Sequence, residues 1–140
     1  MIRKAEISDL KNIQNLVEEL EEQVFDSKIF ADIFSENFSN SRIHYFVLIS
    51  KDNIIGFMSL YESFPLHHCD KIIEVNELIV KKEYRSQNFG KQFMDFAKAF
   101  ALENNCRQIE LSSNMRRLKA HSFYLRNGFK RGHFKFVSKL

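Results

Sequence analysis

Two carboxylates interrupt an apolar run, Ile72-Ile73-Glu74-Val75-Asn76-Glu77-Leu78-Ile79-Val80. The β-branched and apolar side chains make this run a strand. A carboxylate buried without a partner is costly, so Glu74 and Glu77 are expected to reach a cavity, water or a cation. After Val80 the chain turns basic. Lys81, Lys82, Arg85 and Lys91 crowd one loop, and Ser86 and Gly90 leave its backbone accessible. A helix must follow, because Phe89, Phe93, Phe96, Ala97, Phe100 and Ala101 recur at spacings of three and four. The first N–H groups of a helix have no internal partner, and its dipole favours negative charge. Strand, basic loop and helix N-terminus together make an anion site. A solvated basic connection is the competing reading of the same residues.

A second cluster is Pro65-Leu66-His67-His68-Cys69-Asp70. Adjacent residues of an extended chain point opposite ways, so one metal ion rarely takes both histidines. No spacing here matches a structural zinc motif. His67 and His68 are better read as substrate contacts, since an imidazole binds an anion or carries a proton.

Charge sharpens the picture. Residues 1–80 carry 7 Lys/Arg and 14 Asp/Glu, a charge of −7, whereas residues 81–140 carry 14 and 4, a charge of +10. The basic half expects an anionic partner: nucleic acid, a phosphorylated cofactor or an anionic small substrate. No nucleic-acid recognition motif or aromatic–basic stacking pattern is present, so a nucleic-acid-binding module is the weakest of the three. A chain of 140 residues suits a single domain spanning 1–140. No run reaches membrane-spanning length. The absence of a signal-like N-terminus and the isolated Cys69 and Cys106 fit a cytoplasmic setting.

The elements that must position these groups follow in order. Ile2 to Ile7 reads as a strand, and Ser8 or Asp9 caps a helix with Leu10, Ile13, Leu16, Val17, Leu20 and Val24 on its apolar stripe. A second helix starts near Ser27. Tyr45 to Ile49 and Ile54 to Tyr61 are strands joined by a tight turn at Asp52-Asn53. Gly56 marks a bulge or a packing gap. After the basic loop and its helix come a strand at Gln108 to Ser112 and a helix at Lys119 to Asn127, closed by Asn127-Gly128. Phe129 to Arg131 and Phe134 to Lys139 read as strand.

Two stretches carry a resemblance. Arg85-Ser86-Gln87-Asn88-Phe89-Gly90 resembles the R/Q-x-x-G-x-G/A signature of the GNAT superfamily of acetyl-CoA-dependent N-acetyltransferases, with Asn88 in the first Gly position. Asn tolerates a left-handed backbone, so the turn survives. Ala120-His121-Ser122-Phe123-Tyr124-Leu125-Arg126-Asn127-Gly128-Phe129 resembles the second signature, A-x-x-F/L-Y-x-x-x-G-F. Within the superfamily the chain looks most like the aminoalkylphosphonate N-acetyltransferases, through Phe64 to His68, Glu74 to Val80, Glu110 to Asn114, Ala120 to Arg126 and His133 to Phe136.

The resemblance implies an α/β (α+β) fold: a mixed, mostly antiparallel sheet with helices on both faces, splayed at the central strand. It implies acetyl-CoA as cosubstrate. Leu78, Ile79 and Val80 would pair with the pantetheine arm, and Arg85, Ser86, Gln87, Asn88, Phe89, Gly90 and Lys91 would hold the pyrophosphate. Either Asn114 or Arg117 takes the place of a further cofactor contact. Glu74 or Glu77 would be the general base, a backbone amide near Leu78 would hold the oxyanion, and Tyr124 would protonate the departing thiolate. It also leaves room for a divalent metal at His67 or His68 and for a homodimer. The acceptor it implies is a small anionic amine, an aminoalkylphosphonate. An aminosugar phosphate, an aminoglycoside, a polyamine or a protein amine on the same scaffold is the alternative.

Overall fold

A computed structural model describes all 140 residues. Strand β1 (Ile2–Lys4) is followed by a 3-10 turn (Ile7–Asp9) and helices α1 (Leu10–Glu21) and α2 (Ser27–Phe38). Strands β2 (Ile43–Ser50), β3 (Asn53–Ser63) and β4 (Ile72–Val80) follow, then a 3-10 turn (Lys82–Tyr84) and α3 (Phe89–Glu103). Strand β5 (Gln108–Leu111) and α4 (Leu118–Arg126) complete the elements. The five strands lie in sequence order, antiparallel except for the parallel β4–β5 pair.

The helices cover both faces because each presents one apolar stripe. Ile13 and Leu16 of α1 and Phe34 of α2 bury against Val47, Phe57 and Ile79. Phe93, Ala97 and Ala101 of α3 bury on the opposite face against Phe46, Met58, Ile73 and Val75. Gly56 serves both expected purposes. Pairing shifts register beside it, and a Cβ there would meet the Phe93 ring at 2.7 Å and the Ile79 carbonyl at 2.9 Å. The sheet divides at β4. Strand β5 pairs only with Ile72 to Val75, so the last five residues of β4 have no neighbour on that side.

Three local expectations need correction. The β2–β3 turn residues are Lys51 and Asp52, both at positive φ, one position earlier than Asp52-Asn53. Lys can occupy such a turn because the register of the two strands, not local preference, sets where it falls. Asp9 does not cap α1 with its side chain. It accepts instead from the Glu6 N–H at 2.8 Å and from Arg3 at 2.7 and 3.1 Å. Residues 129–140 form no strand. Alternation makes a segment capable of pairing, but it does not by itself supply the hydrogen bonds to a neighbouring strand.

Asp9 is 5 % exposed, and its bonds from Arg3 hold its carboxyl below the usual carboxylate range. A depressed folded-state pKa contributes stability that is present above the unfolded value and lost as pH falls through the folded one. Asp9→Asn is therefore expected to cost about 2 kcal/mol at neutral pH. Chemical denaturation should show the gap between the two proteins closing below about pH 4, where the unfolded carboxyl protonates.

Candidate active site

The position of Glu77 depends on one extra residue. Val75 pairs with Leu60 and Glu77 pairs with Ser59, so Asn76 is a bulge in β4. Ile73 and Val75 face α3, whereas Ile79 faces α1 and α2. Strict alternation would put all the odd-numbered residues of β4 on one face. The bulge reverses the phase. Glu74 and Glu77 consequently share the α1/α2 face, about 10 Å apart along the strand at the usual rise.

Glu77 lines a cavity of about 130 Å³ between that face and the two helices. Ile13, Val17, Phe30 and Phe34 supply apolar walls, and Asn37, Tyr45 and Tyr61 are its other polar side chains. The Asn37 amide donates to the Tyr45 hydroxyl at 2.8 Å and to the Tyr61 hydroxyl at 3.2 Å. Burial raises both tyrosine pKa values, and the Glu77 charge adds to the effect. A larger cavity of about 270 Å³, beside Lys4, Phe38 and His44, contains none of the acid–base candidates.

Ser59 is fully buried on β3 and forms a closed hydrogen-bond ring with Glu77. Its hydroxyl accepts from the Glu77 N–H at 3.0 Å and donates to the Glu77 carboxylate. Burial pushes the Glu77 pKa up, the Ser59 hydroxyl pulls it down, and the Glu21 charge pushes it up again. The net direction is upward. A carboxylate so placed takes a proton more readily than one in water and remains able to ionise.

The backbone of β4 adds donors. The Glu77 N–H points to Ser59 and the Lys81 N–H to the Ile55 carbonyl at 2.8 Å, both on β3. Alternation then sends the Leu78 and Val80 N–H groups to the opposite side, where β5 has ended. Ile79 packs its side chain against α1 and α2, and Leu78 and Val80 pack theirs against the α3 cluster, so the open side of β4 offers backbone groups.

At the end of β4 the basic loop folds into a tight turn before α3. Ser86 (φ 62°) and Asn88 (φ 68°) are left-handed. Asn88 thus takes the backbone state of the glycine it replaces. The first bond of α3 runs from the Gln92 N–H to the Asn88 carbonyl at 3.1 Å. The N–H groups of Phe89, Gly90 and Lys91 therefore lack helical partners. Gln87 donates to the Glu83 carbonyl at 3.4 Å and braces the turn. Arg85 folds back onto the Val80 carbonyl at 3.0 Å and toward Glu19 at 3.5 Å, and Lys91 pairs with Asp95. These cations anchor the loop as well as charging it. Gly90 also lets two helices meet, since a Cβ there would come within 3.3 Å of the Phe123 ring. That close approach brings α4 to the start of α3.

Tyr124 is buried on α4 between Phe123 and Phe129. Burial raises its pKa, and the Arg117 guanidinium opposes this. Asn114 shapes the turn before α4. Its side chain accepts from the Arg116 N–H at 2.9 Å, and its carbonyl bonds His121 at 2.8 Å. The histidine pair lies elsewhere. His67 and His68 occupy the loop entering β4, their ring centroids 4.4 Å apart, with His68 4.0 Å from Glu110. Glu110 pairs in register with Glu74. The fold therefore joins His68 to the Glu74 end of the strand and not to the cavity at Glu77. No three His, Cys, Asp or Glu side chains are grouped to hold a metal ion, so the histidine loop does not fit a metal centre.

Sequence reasoning missed Ser59, Asn37, Tyr45 and Tyr61. Ser59 alone left a signal, as the one hydroxyl within Phe57-Met58-Ser59-Leu60.

Comparison with known proteins agrees with this geometry. Residues 41–131 match the acetyltransferase (GNAT) domain family. The chain is 34% identical over 139 residues to an aminoalkylphosphonate N-acetyltransferase of Salmonella typhimurium, covering 99% of this chain and 90% of that one. A transcriptional regulator from Bacillus halodurans shares the fold with a TM-score of 0.91 at 19% identity, covering 100% and 99% of the two chains. A glucosamine-6-phosphate N-acetyltransferase from Arabidopsis thaliana gives 0.83 at 20% identity, covering 99% and 97%. With its split sheet, its left-handed loop at Ser86 and Asn88, and its match to the family over most of its length, the chain belongs to the GNAT N-acetyltransferases.

Proposed function

We propose that this N-acetyltransferase moves the acetyl group of acetyl-CoA to the primary amine of a small anionic acceptor, an aminoalkylphosphonate. The observation that carries the acceptor class is the near full-length similarity to an aminoalkylphosphonate N-acetyltransferase. The +10 charge of residues 81–140 supports an anionic ligand.

The chemistry follows from the site. The diphosphate of acetyl-CoA rests on the free N–H groups at the start of α3, where the helix dipole and the basic loop favour negative charge. The pantetheine arm extends along the unpaired part of β4. The acceptor arrives as an ammonium ion, and Glu77 removes its proton, leaving a lone pair on nitrogen. That nitrogen attacks the thioester carbonyl, and the Leu78 N–H stabilises the oxyanion. Collapse expels the thiolate, which takes a proton from the Tyr124 hydroxyl, while the nitrogen gives up its second proton, which returns the tyrosine to its neutral form. The products are the N-acetyl amine and free CoA. Glu77 is favoured over Glu74 as base because it combines the cavity, the burial and the Ser59 ring. His67 and His68 lie at the Glu74 end of β4, beyond the reach of a small acceptor whose amine sits at Glu77, and are given no contact with its anionic head.

Release of free thiol is the assay. Aminomethylphosphonate and 2-aminoethylphosphonate should exceed glucosamine 6-phosphate, an aminoglycoside and a peptide amine in kcat/KM by tenfold or more. Preference for one of the latter three by that margin overturns the acceptor class and leaves the acetyl transfer standing. Acetyl-CoA should also raise the melting temperature, because a ligand bound only by the folded state stabilises it by mass action.

A further inference from the structure

The Glu77 cavity holds more hydrogen-bond donors than the chain uses. Asn37, in the last turn of α2, donates its amide to the Tyr45 hydroxyl at 2.8 Å and to the Tyr61 hydroxyl at 3.2 Å. Each hydroxyl oxygen thus accepts from Asn37, and each still has its own hydrogen to give. One hydrogen can turn to the other hydroxyl, but both cannot be used that way, and neither hydroxyl is bonded to any other acceptor of the chain. At least one O–H donor therefore faces a cavity with apolar walls, where an unpaired donor is costly. On the aminoalkylphosphonate reading given above, we propose that Tyr45 and Tyr61, held in place by Asn37, form the subsite for the acceptor's anionic head and set the preference for an acidic amine over a plain one.

The sheet register puts this pair within reach of an amine on Glu77. Tyr45, Ser59 and Glu77 stand side by side across β2, β3 and β4, and Tyr61 follows Ser59 by two residues on β3. Tyr45, Tyr61 and Glu77 open on the same cavity of about 130 Å³, which keeps the two ends of a ligand close. Burial, with the Glu77 charge, raises both tyrosine pKa values, so the hydroxyls stay protonated and remain donors. Glu77 is the one charged side chain in the lining, and no Lys, Arg or His joins it.

A head bound by neutral donors suits a zwitterionic acceptor. The ammonium end meets Glu77 and the anionic end meets the hydroxyls, so the ligand carries its own counter-charge into the cavity. When Glu77 takes the proton, ammonium and carboxylate are neutralised together, and the head keeps both its charge and its hydrogen bonds. An ionised oxygen is a stronger acceptor than a neutral one, which is what separates the phosphonate from an uncharged tail. Asn37 is a positioning residue. Its amide donates and leaves the hydroxyl hydrogens to the ligand, whereas a carboxylate there would accept those hydrogens and add a repelling charge.

The test compares thiol release with 2-aminoethylphosphonate and with propylamine, which keeps the amine and a short chain but lacks the head. The natural chain should prefer the phosphonate in kcat/KM by about tenfold or more. Tyr45→Phe and Tyr61→Phe should each raise the KM for the phosphonate by about ten- to a hundredfold, the worth of a hydrogen bond to a charged group. Propylamine kinetics, and kcat for the phosphonate, should stay within about threefold. Asn37→Asp should abolish the preference and leave propylamine in use. Equal use of the two amines by the natural chain overturns the acceptor class and this subsite with it. A phosphonate preference that survives both tyrosine substitutions together overturns the subsite alone and leaves the acceptor class standing. Carbon NMR of the natural chain, labelled at the hydroxyl-bearing ring carbon of its 4 tyrosines, is the second readout and decides the question where a variant fails to fold. The phosphonate should shift two of the signals and propylamine should not, and a spectrum that the phosphonate leaves unmoved overturns the subsite.

Discussion

Glu77→Gln lowers kcat/KM for the amine by about 10² to 10⁴, the usual worth of one positioned acid–base group. Acetyl-CoA binding, read by thermal shift, stays as it was, because the substitution keeps the shape and lies away from the anion loop. The pH profile changes form. Burial raises the Glu77 pKa, so the natural enzyme loses activity as pH falls through that raised value. The variant has no such group, and its residual rate climbs with pH toward the acceptor's own pKa, where free amine becomes abundant in solution. Ser59→Ala gives the companion result. The Ser59 hydroxyl stabilises the ionised carboxylate, so its loss raises the Glu77 pKa and moves the acid limb to higher pH. Ser59→Thr, which keeps the hydroxyl, should restore much of the shift if the added methyl is accommodated. A direct titration of the Glu77 carboxyl by carbon NMR separates the two ideas. A raised carboxyl pKa in Ser59→Ala with an unmoved rate profile means Glu77 is not the base. If Glu74 carries the base role, Glu77→Gln leaves kcat within a few-fold.

Tyr124→Phe lowers kcat by about ten- to a hundredfold with little change in the KM for acetyl-CoA. The ring and its packing between Phe123 and Phe129 are retained, so what is lost is the hydroxyl. Burial raises the Tyr124 pKa. The group is thus protonated at neutral pH and suited to give a proton. The loss should shrink when the acetyl donor is a thioester of a more acidic thiol, since that leaving group departs without protonation. Equal losses with both donors would return Tyr124 to a packing role. So would a variant that melts several degrees lower with no specific loss in kcat.

Much of this protein is legible in its residues because the relevant signals are local. The helix after the basic loop announces itself by the spacing of Phe89, Phe93 and Phe100, and its free N–H groups follow from helix geometry alone. Asn88 is among the few residues that accept the left-handed turn, and it does so. The order of strands and helices up to Arg126 was readable in this way, and the mixed sheet and the family followed from the two stretches that resemble the GNAT signatures.

Other features were decided by tertiary structure, each where the outcome depends on a partner distant in sequence. The phase of β4 rests on Asn76 being extruded against β3, and a bulge leaves no mark in the alternation of Glu74 to Val80. Ser59 meets Glu77 across that same register, 18 residues away. Asn37 finds Tyr45 and Tyr61 only because α2 folds over the sheet. The histidine pair lies apart from the Glu77 cavity because β4 is long enough to separate its two ends. Phe134 to Lys139 has the alternation of a strand and forms none, because alternation does not by itself bring a segment into hydrogen-bonded register with a neighbour.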